Sequence, residues 1–108
     1  MPAGLMPAGY VYITIFDTGY FYVGMSSKAF KDNLTYRGSG IDLLKYIESH
    51  PDEEVETILL EECYSTRQLE IAEAYFIKAL DAVNNPYGLN RSWGVPSYKK
   101  YVDNFILK

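Results

Sequence analysis

An α+β fold is what the sequence predicts, and three observations predict it. Residues 10–16 and 20–25 alternate β-branched and aromatic types on either side of a turn. Residues 65–83 show helical spacing behind a serine–threonine start. The elements follow in the order strand, strand, helix, strand, helix, which is not the regular alternation of a parallel α/β sheet. A chain of 108 residues holds one domain with one modest core.

The first nine residues, MPAGLMPAG, repeat themselves and are expected to form a flexible arm over 1–9. The domain proper is expected over 10–94. Between the first two strands, Asp17-Thr18-Gly19 has the chemistry of a three-residue hairpin loop with glycine in the left-handed position. Such a loop opposes Phe16 to Tyr20 and puts the even-numbered residues of both strands on one face. Tyr10, Tyr12, Thr14, Tyr20, Tyr22 and Gly24 then lie together. Val11, Ile13, Ile15, Phe21, Val23 and Met25 line the other face, which reads as core. The phenol row is the feature to explain, since packing alone needs no hydroxyls.

SSKAFKDNLTYRGSG, residues 26–40, is polar, basic and glycine-ended, and reads as loop with at most a helical turn. IDLLKYIESH has helical spacing with Ile41, Leu44, Tyr46 and Ile47 on one side, and Pro51 ends it. EVETILLEECY is the third strand. The long helix starts at Ser65 or Thr66 and stops before NNPYG. The tail over 95–108, with SYKKYVDNFILK, is expected to be a short helix covering the domain.

Composition excludes several classes. One cysteine and one histidine exclude an internal disulfide and any multi-cysteine or multi-histidine metal centre. No apolar run reaches the ~20 residues that span a bilayer, so no membrane partner is expected. No basic-then-apolar leader is visible, so secretion is not expected. A net charge of −4 argues against a dedicated duplex binder with a wide basic surface. It leaves room for a small local site, because Lys28, Lys31, Arg37 and Lys45 fall close together while the acids concentrate in PDEEVETILLEE.

One residue stands out on the long helix. At about 100° per residue, Leu69, Ala72, Phe76, Leu80 and Val83 form an apolar stripe, and Glu73 falls inside it with Glu70 at its edge. A carboxylate on a buried stripe calls for a cation, a hydroxyl or a metal ion. It is either a structural carboxylate bonded to a tyrosine, or part of a phosphate-handling site facing the phenol row. His50, at a helix C-terminus, reads as a dipole-facing cap. Most tyrosines, Tyr10, Tyr20, Tyr46 and Tyr75 among them, read as packing; eleven of them would also supply stacking surfaces for single strands.

At these residues the chain resembles the GIY-YIG nuclease family. The first motif reads Tyr10-Val11-Tyr12, with Gly9 one step early, and the second reads Tyr22-Val23-Gly24. The two motif tyrosines, Tyr12 and Tyr22, are ten residues apart. Glu73-Ala74-Tyr75-Phe76-Ile77 and Tyr87-Gly88-Leu89-Asn90 are similar to the family's later motifs. Tyr36-Arg37-Gly38-Ser39-Gly40 is similar to the glycine-serine-glycine turn of a phage-type branch. The resemblance spans residues 10–94 and implies a three-stranded antiparallel sheet flanked by helices. It implies hydrolysis of a DNA phosphodiester with one divalent ion, Mg²⁺ or Mn²⁺, held by Glu73 as sole protein ligand. In that reading Tyr12 is the general base or orients the attacking water, and Tyr22 bonds the phosphate or the water. Asn90 holds the geometry, and Gly24 lets backbone approach the site. An unassisted phenol titrates at about 10, so Tyr12 needs a neighbouring cation. The family's first-helix arginine falls here on Asp32, leaving Lys28 and Arg37 as the substitutes. The implied partner is DNA, duplex or branched, and the implied setting is the cytoplasm of a bacterial or phage-infected cell. Target finding through a homo-oligomer or an accessory DNA-targeting partner is left open. The alternative is a degenerate member of the family that binds nucleic acid or a protein without cutting.

Overall fold

The computed structural model describes residues 6–94. Strand β1 spans Gly9–Phe16 and β2 spans Phe21–Ser26. A 3₁₀ turn at Phe30–Asp32 and a loop lead to helix α1, Ile41–Ser49. Strand β3 is Val55–Cys63 and helix α2 is Thr66–Ala79. The three strands form one antiparallel sheet in the order β2-β1-β3. Of the arm expected over 1–9, residues 1–5 lie outside the described residues, and its last two residues belong to the sheet: Ala8 N–H donates to the Cys63 carbonyl at 2.7 Å and Gly9 opens β1. The expected covering helix over 95–108 lies outside the described residues.

Local chemistry sets the hairpin. Gly19 takes φ 95° and its N–H donates to Phe16 O at 2.8 Å, while Phe16 N–H donates to Tyr20 O at 2.9 Å. The register that results pairs Ile15 with Phe21, Ile13 with Val23 and Tyr12 with Gly24. Alternation then divides the tyrosines from the valines as the loop length predicts.

Both faces of the sheet are buried, and the phenol face is the more thoroughly covered along β1. Tyr10, Tyr12, Thr14 and Phe16 are all at most 3% exposed. Tyr46 and Leu43 of α1 pack there against Phe16, Tyr20, Tyr22 and Val55. Phe30 and Tyr36 of the preceding loop close over Tyr10 and Tyr12. Helix α2 lies on the opposite face, where Leu69, Ala72 and Ile77 meet Val11, Val23 and Cys63. The sheet is thus a middle layer between two helices.

A bulge in β3 serves this layering. Val11 pairs with Glu61 but Tyr12 with Leu59, so Leu60 is the extra residue. Parity changes there, and Cys63 turns to the α2 side, where it is fully buried.

The helices differ from expectation at their faces and ends. In α1 the inward residues are Leu43 and Tyr46, while Ile41 and Leu44 are exposed. Tyr46 decides this rotation: its hydroxyl donates to Glu53 at 2.8 Å and lies 2.6 Å from Thr18 Oγ1, tying α1 to the hairpin loop. His50 stacks on Tyr46 and holds Nδ1 3.0 Å from the Tyr46 carbonyl, at the helix end. In α2, Ser65 caps the start by accepting from Gln68 N–H at 3.0 Å. The helix stops at Ala79 rather than running to Val83. Asp81 adopts φ 54°, Asp81 N–H returns to Lys78 O and Ala82 N–H to Ile77 O, which is a Schellman closure with aspartate in the usual glycine position. Leu80 is left partly exposed.

The chain then runs back along the outer edge of β2. Phe21 N–H donates to Tyr87 O and Leu89 N–H to Phe21 O. Among the described residues no helix is long and apolar enough to cross a membrane.

Candidate active site

At the β2 edge lies a cavity of about 200 Å³. It takes Gly40 and Ile41 from the start of α1, Tyr22 from β2, Glu73 and Ile77 from α2, and the segment from Leu89 through Ser92. Leu89 belongs to the phenol-side cluster and Ile77 to the valine-side cluster, so the cavity bridges the two layers around the strand.

Glu73 stands on the valine side, because α2 packs there. Its stripe packs on the valine face, so Glu73 does not look across at the phenol row, the second of the two expected arrangements; of the phenols, it is Tyr22 at the sheet edge that shares a cavity with it. Burial, followed by the charge of Glu70, raises the Glu73 carboxyl to about 7. Among the described residues this carboxylate has no hydrogen-bond or ion-pair partner. A half-buried, unpartnered carboxylate opening on a cavity that Tyr22, Asn90, Arg91 and Ser92 also line fits a divalent cation completed by waters and ligand oxygens. No group of three or more histidine, cysteine or acidic residues that could hold a metal ion occurs among the described residues; of the described residues lining the cavity, Glu73 is the only carboxylate.

Tyr22 is half-buried and points its ring at the cavity. Burial raises its pKa first, with the Glu73 and Tyr36 charges adding to it, while the Gly40 backbone N–H pulls it down. That amide therefore favours negative charge on the Tyr22 oxygen. Gly40 has no side chain for a reason of space: a Cβ there would run into the Tyr22 ring. Gly40 also caps α1, whose first-turn amides carry partial positive charge toward the cavity.

Asn90 fastens the site to the sheet. Its Oδ1 accepts from Val23 N–H at 2.9 Å and its Nδ2 donates to Val23 O at 2.8 Å. The amide side chain acts as one rung of a ladder on β2, directly after Tyr22. Both ends of the amide are bonded to the backbone, so what Asn90 supplies to the cavity it lines is position.

Three expected residues do not line the cavity. Tyr12 is 1% exposed, on the central strand, with its phenol lying over Gly24. Gly24 thus makes room for a tyrosine ring rather than for an approaching ligand. Burial pushes the Tyr12 pKa far up, and the neighbouring Tyr22 and Tyr36 push it further. Arg37 turns to β3, where Nη1 donates to Thr57 Oγ1 at 2.9 Å, and its own carbonyl accepts from Thr14 at 2.6 Å. Lys28 is exposed in the loop after β2, its backbone N–H on Ser26 Oγ.

The cation that does line the cavity is one the sequence reading passed over. Arg91 follows Asn90 directly and forms a two-point pair with Asp42: Nε to Oδ2 and Nη2 to Oδ1, each 2.9 Å. Asp42 lies in the first turn of α1, and Arg91 holds its carboxyl below the usual range. Adjacency to Asn90 was the available signal for Arg91, but its partner lies 49 residues away in sequence. No protein-family model, no curated protein and no solved structure matches this chain.

Proposed function

We propose that the protein is a metal-dependent endonuclease that hydrolyses a DNA phosphodiester at the β2-edge cavity, in the manner of the GIY-YIG nucleases it resembles. The observation that carries this reading is the unpartnered Glu73 carboxylate sharing one cavity with the Tyr22 phenol. Carboxylate, phenol and helix N-terminus are the parts a phosphodiester site needs: a seat for a cation, a hydroxyl for a phosphate oxygen or a water, and a positive end for the anion.

Glu73 would hold the ion, which when bound would supply charge stabilisation to the phosphate and the leaving oxygen. Tyr22, its oxygen steadied by the Gly40 amide, orients the attacking water or a phosphate oxygen. Asn90 keeps Tyr22 in register by locking the neighbouring residue of β2. The Tyr12 ring packs at a tilt beside the Tyr22 ring, centroids 6.4 Å apart. Tyr12 serves as base only where the loop carrying Tyr36 and Gly38 opens and a cation comes near.

Supercoiled plasmid incubated with Mg²⁺, with Mn²⁺ and with chelator tests the reading. Nicking in either metal, none in chelator, and loss of nicking in a folded Glu73→Ala variant are expected. A second reading is binding without cutting, and the closed setting of Tyr12 favours it. A well-folded protein that shifts labelled DNA at low salt and never nicks in either metal would establish that reading against the first.

A further inference from the structure

We infer that Arg91 contacts a phosphate of the bound strand, and that Asp42 is its positioning residue. This rests on reading the cavity as a phosphodiester site and supplies the cation that such a site requires. Among the described residues lining the cavity, Arg91 is the only cationic side chain. Lys28 and Arg37, the cations nearest to the motifs in sequence, lie elsewhere.

The geometry of the pair favours a ligand contact over a simple surface bridge. Asp42 takes the Nε–Nη2 edge of the guanidinium. A guanidinium has five N–H donors in a rigid fork, so the Nη1–Nη2 edge keeps its own two-point face for an oxyanion. Asp42 fixes the plane of that fork. The backbone of Arg91 is equally constrained, because Asn90 beside it is bonded at both ends of its amide to Val23. Asp42 belongs to the first turn of α1, whose N-terminal residues Gly40 and Ile41 border the same cavity. Fork and helix end thus converge on one anion-sized space. The pair itself, exposed on both sides, adds little to stability, so its arrangement is better explained by what it presents.

A structural bridge and a phosphate contact predict different behaviour for its two halves. The measurement is fluorescence anisotropy of a labelled DNA duplex in chelator, over a range of salt, for wild type, Arg91→Ala, Arg91→Lys and Asp42→Asn. Arg91→Ala is expected to weaken binding about tenfold and to lower the salt slope by about one. Arg91→Lys restores the slope without the full affinity, because a point charge replaces a fork. Asp42→Asn keeps the slope and binds at least as tightly, because it releases competition for the cation, yet lowers the nicking turnover by loosening the fork. Equal losses in Arg91→Ala and Asp42→Asn, or an unchanged slope in Arg91→Ala, would overturn the inference. Thermal melts of each variant confirm folding. Failure of the endonuclease reading looks different: no variant and no wild type nicks, whatever the binding slopes. If Glu73→Ala abolishes nicking while Arg91→Ala leaves affinity and slope intact, Arg91 alone is refuted.

Discussion

At the scale of single residues, Glu73 makes the sharpest demand. Its carboxyl is raised to about 7 in the fold, against 4.5 for a free glutamate side chain. The folded protein therefore holds this proton through a range in which the unfolded chain has lost it. The stability contributed is complete below about pH 4.5 and is lost as the pH rises through about 7, on the order of 3 kcal/mol. Glu73→Gln removes that dependence. Urea midpoints at pH 5 and pH 7.5 should converge in the variant relative to wild type, and Glu73→Gln should be the more stable of the two at pH 7.5. Cation binding has the opposite sign, because it needs the ionised form and strengthens as the pH rises to 7. The two phenols separate in the same way. Tyr22→Phe removes a hydroxyl from the cavity and is expected to cost about a hundred- to a thousandfold in cleavage turnover with little change in melting temperature, the range for removing one positioned donor. Tyr12→Phe is expected to cost less turnover. Single-turnover cleavage of a labelled duplex ranks the two, and the reverse order would move the reacting centre to the central strand.

At the scale of elements, the β2 edge is what the site depends on. Asn90→Ala leaves the Val23 N–H and C=O unpaired, at about 1–3 kcal/mol for a buried group. It also frees the strand that carries Tyr22. Chemical denaturation should show that loss, and cleavage should fall further than stability alone explains. How much of these elements was legible depends on range. The hairpin register was legible because a three-residue loop with Gly19 admits one pairing. The Ser65 cap was legible because it acts over three residues. The inward face of α1 was not, since Ile41/Leu44 and Leu43/Tyr46 both satisfy helical spacing and only the Tyr46–Glu53–Thr18 bonds choose between them. The end of α2 was hidden because an aspartate, not a glycine, takes the left-handed position. The bulge at Leu60 leaves no mark in a run of alternating residues.

At the scale of the whole molecule, the two-sided sheet explains why only part of the cavity's lining was legible in the sequence. Glu73 was identified from its place on an apolar stripe, and Tyr22 from the resemblance. Which face each helix would cover is a tertiary matter, and it assigns Tyr12 to the interior and Tyr22 to the edge. The pairing of Arg91 with Asp42 was beyond reach for the same reason, as it joins the end of the edge segment to the first turn of α1. The central claim is that a divalent ion sits on Glu73 in this cavity when DNA is bound. Titration of Mn²⁺ into the protein–duplex complex at pH 8, followed by water-proton relaxation, tests it most directly. One bound Mn²⁺ is expected in wild type, retained in Tyr12→Phe and absent in Glu73→Gln. An unchanged Mn²⁺ signal in Glu73→Gln would contradict it.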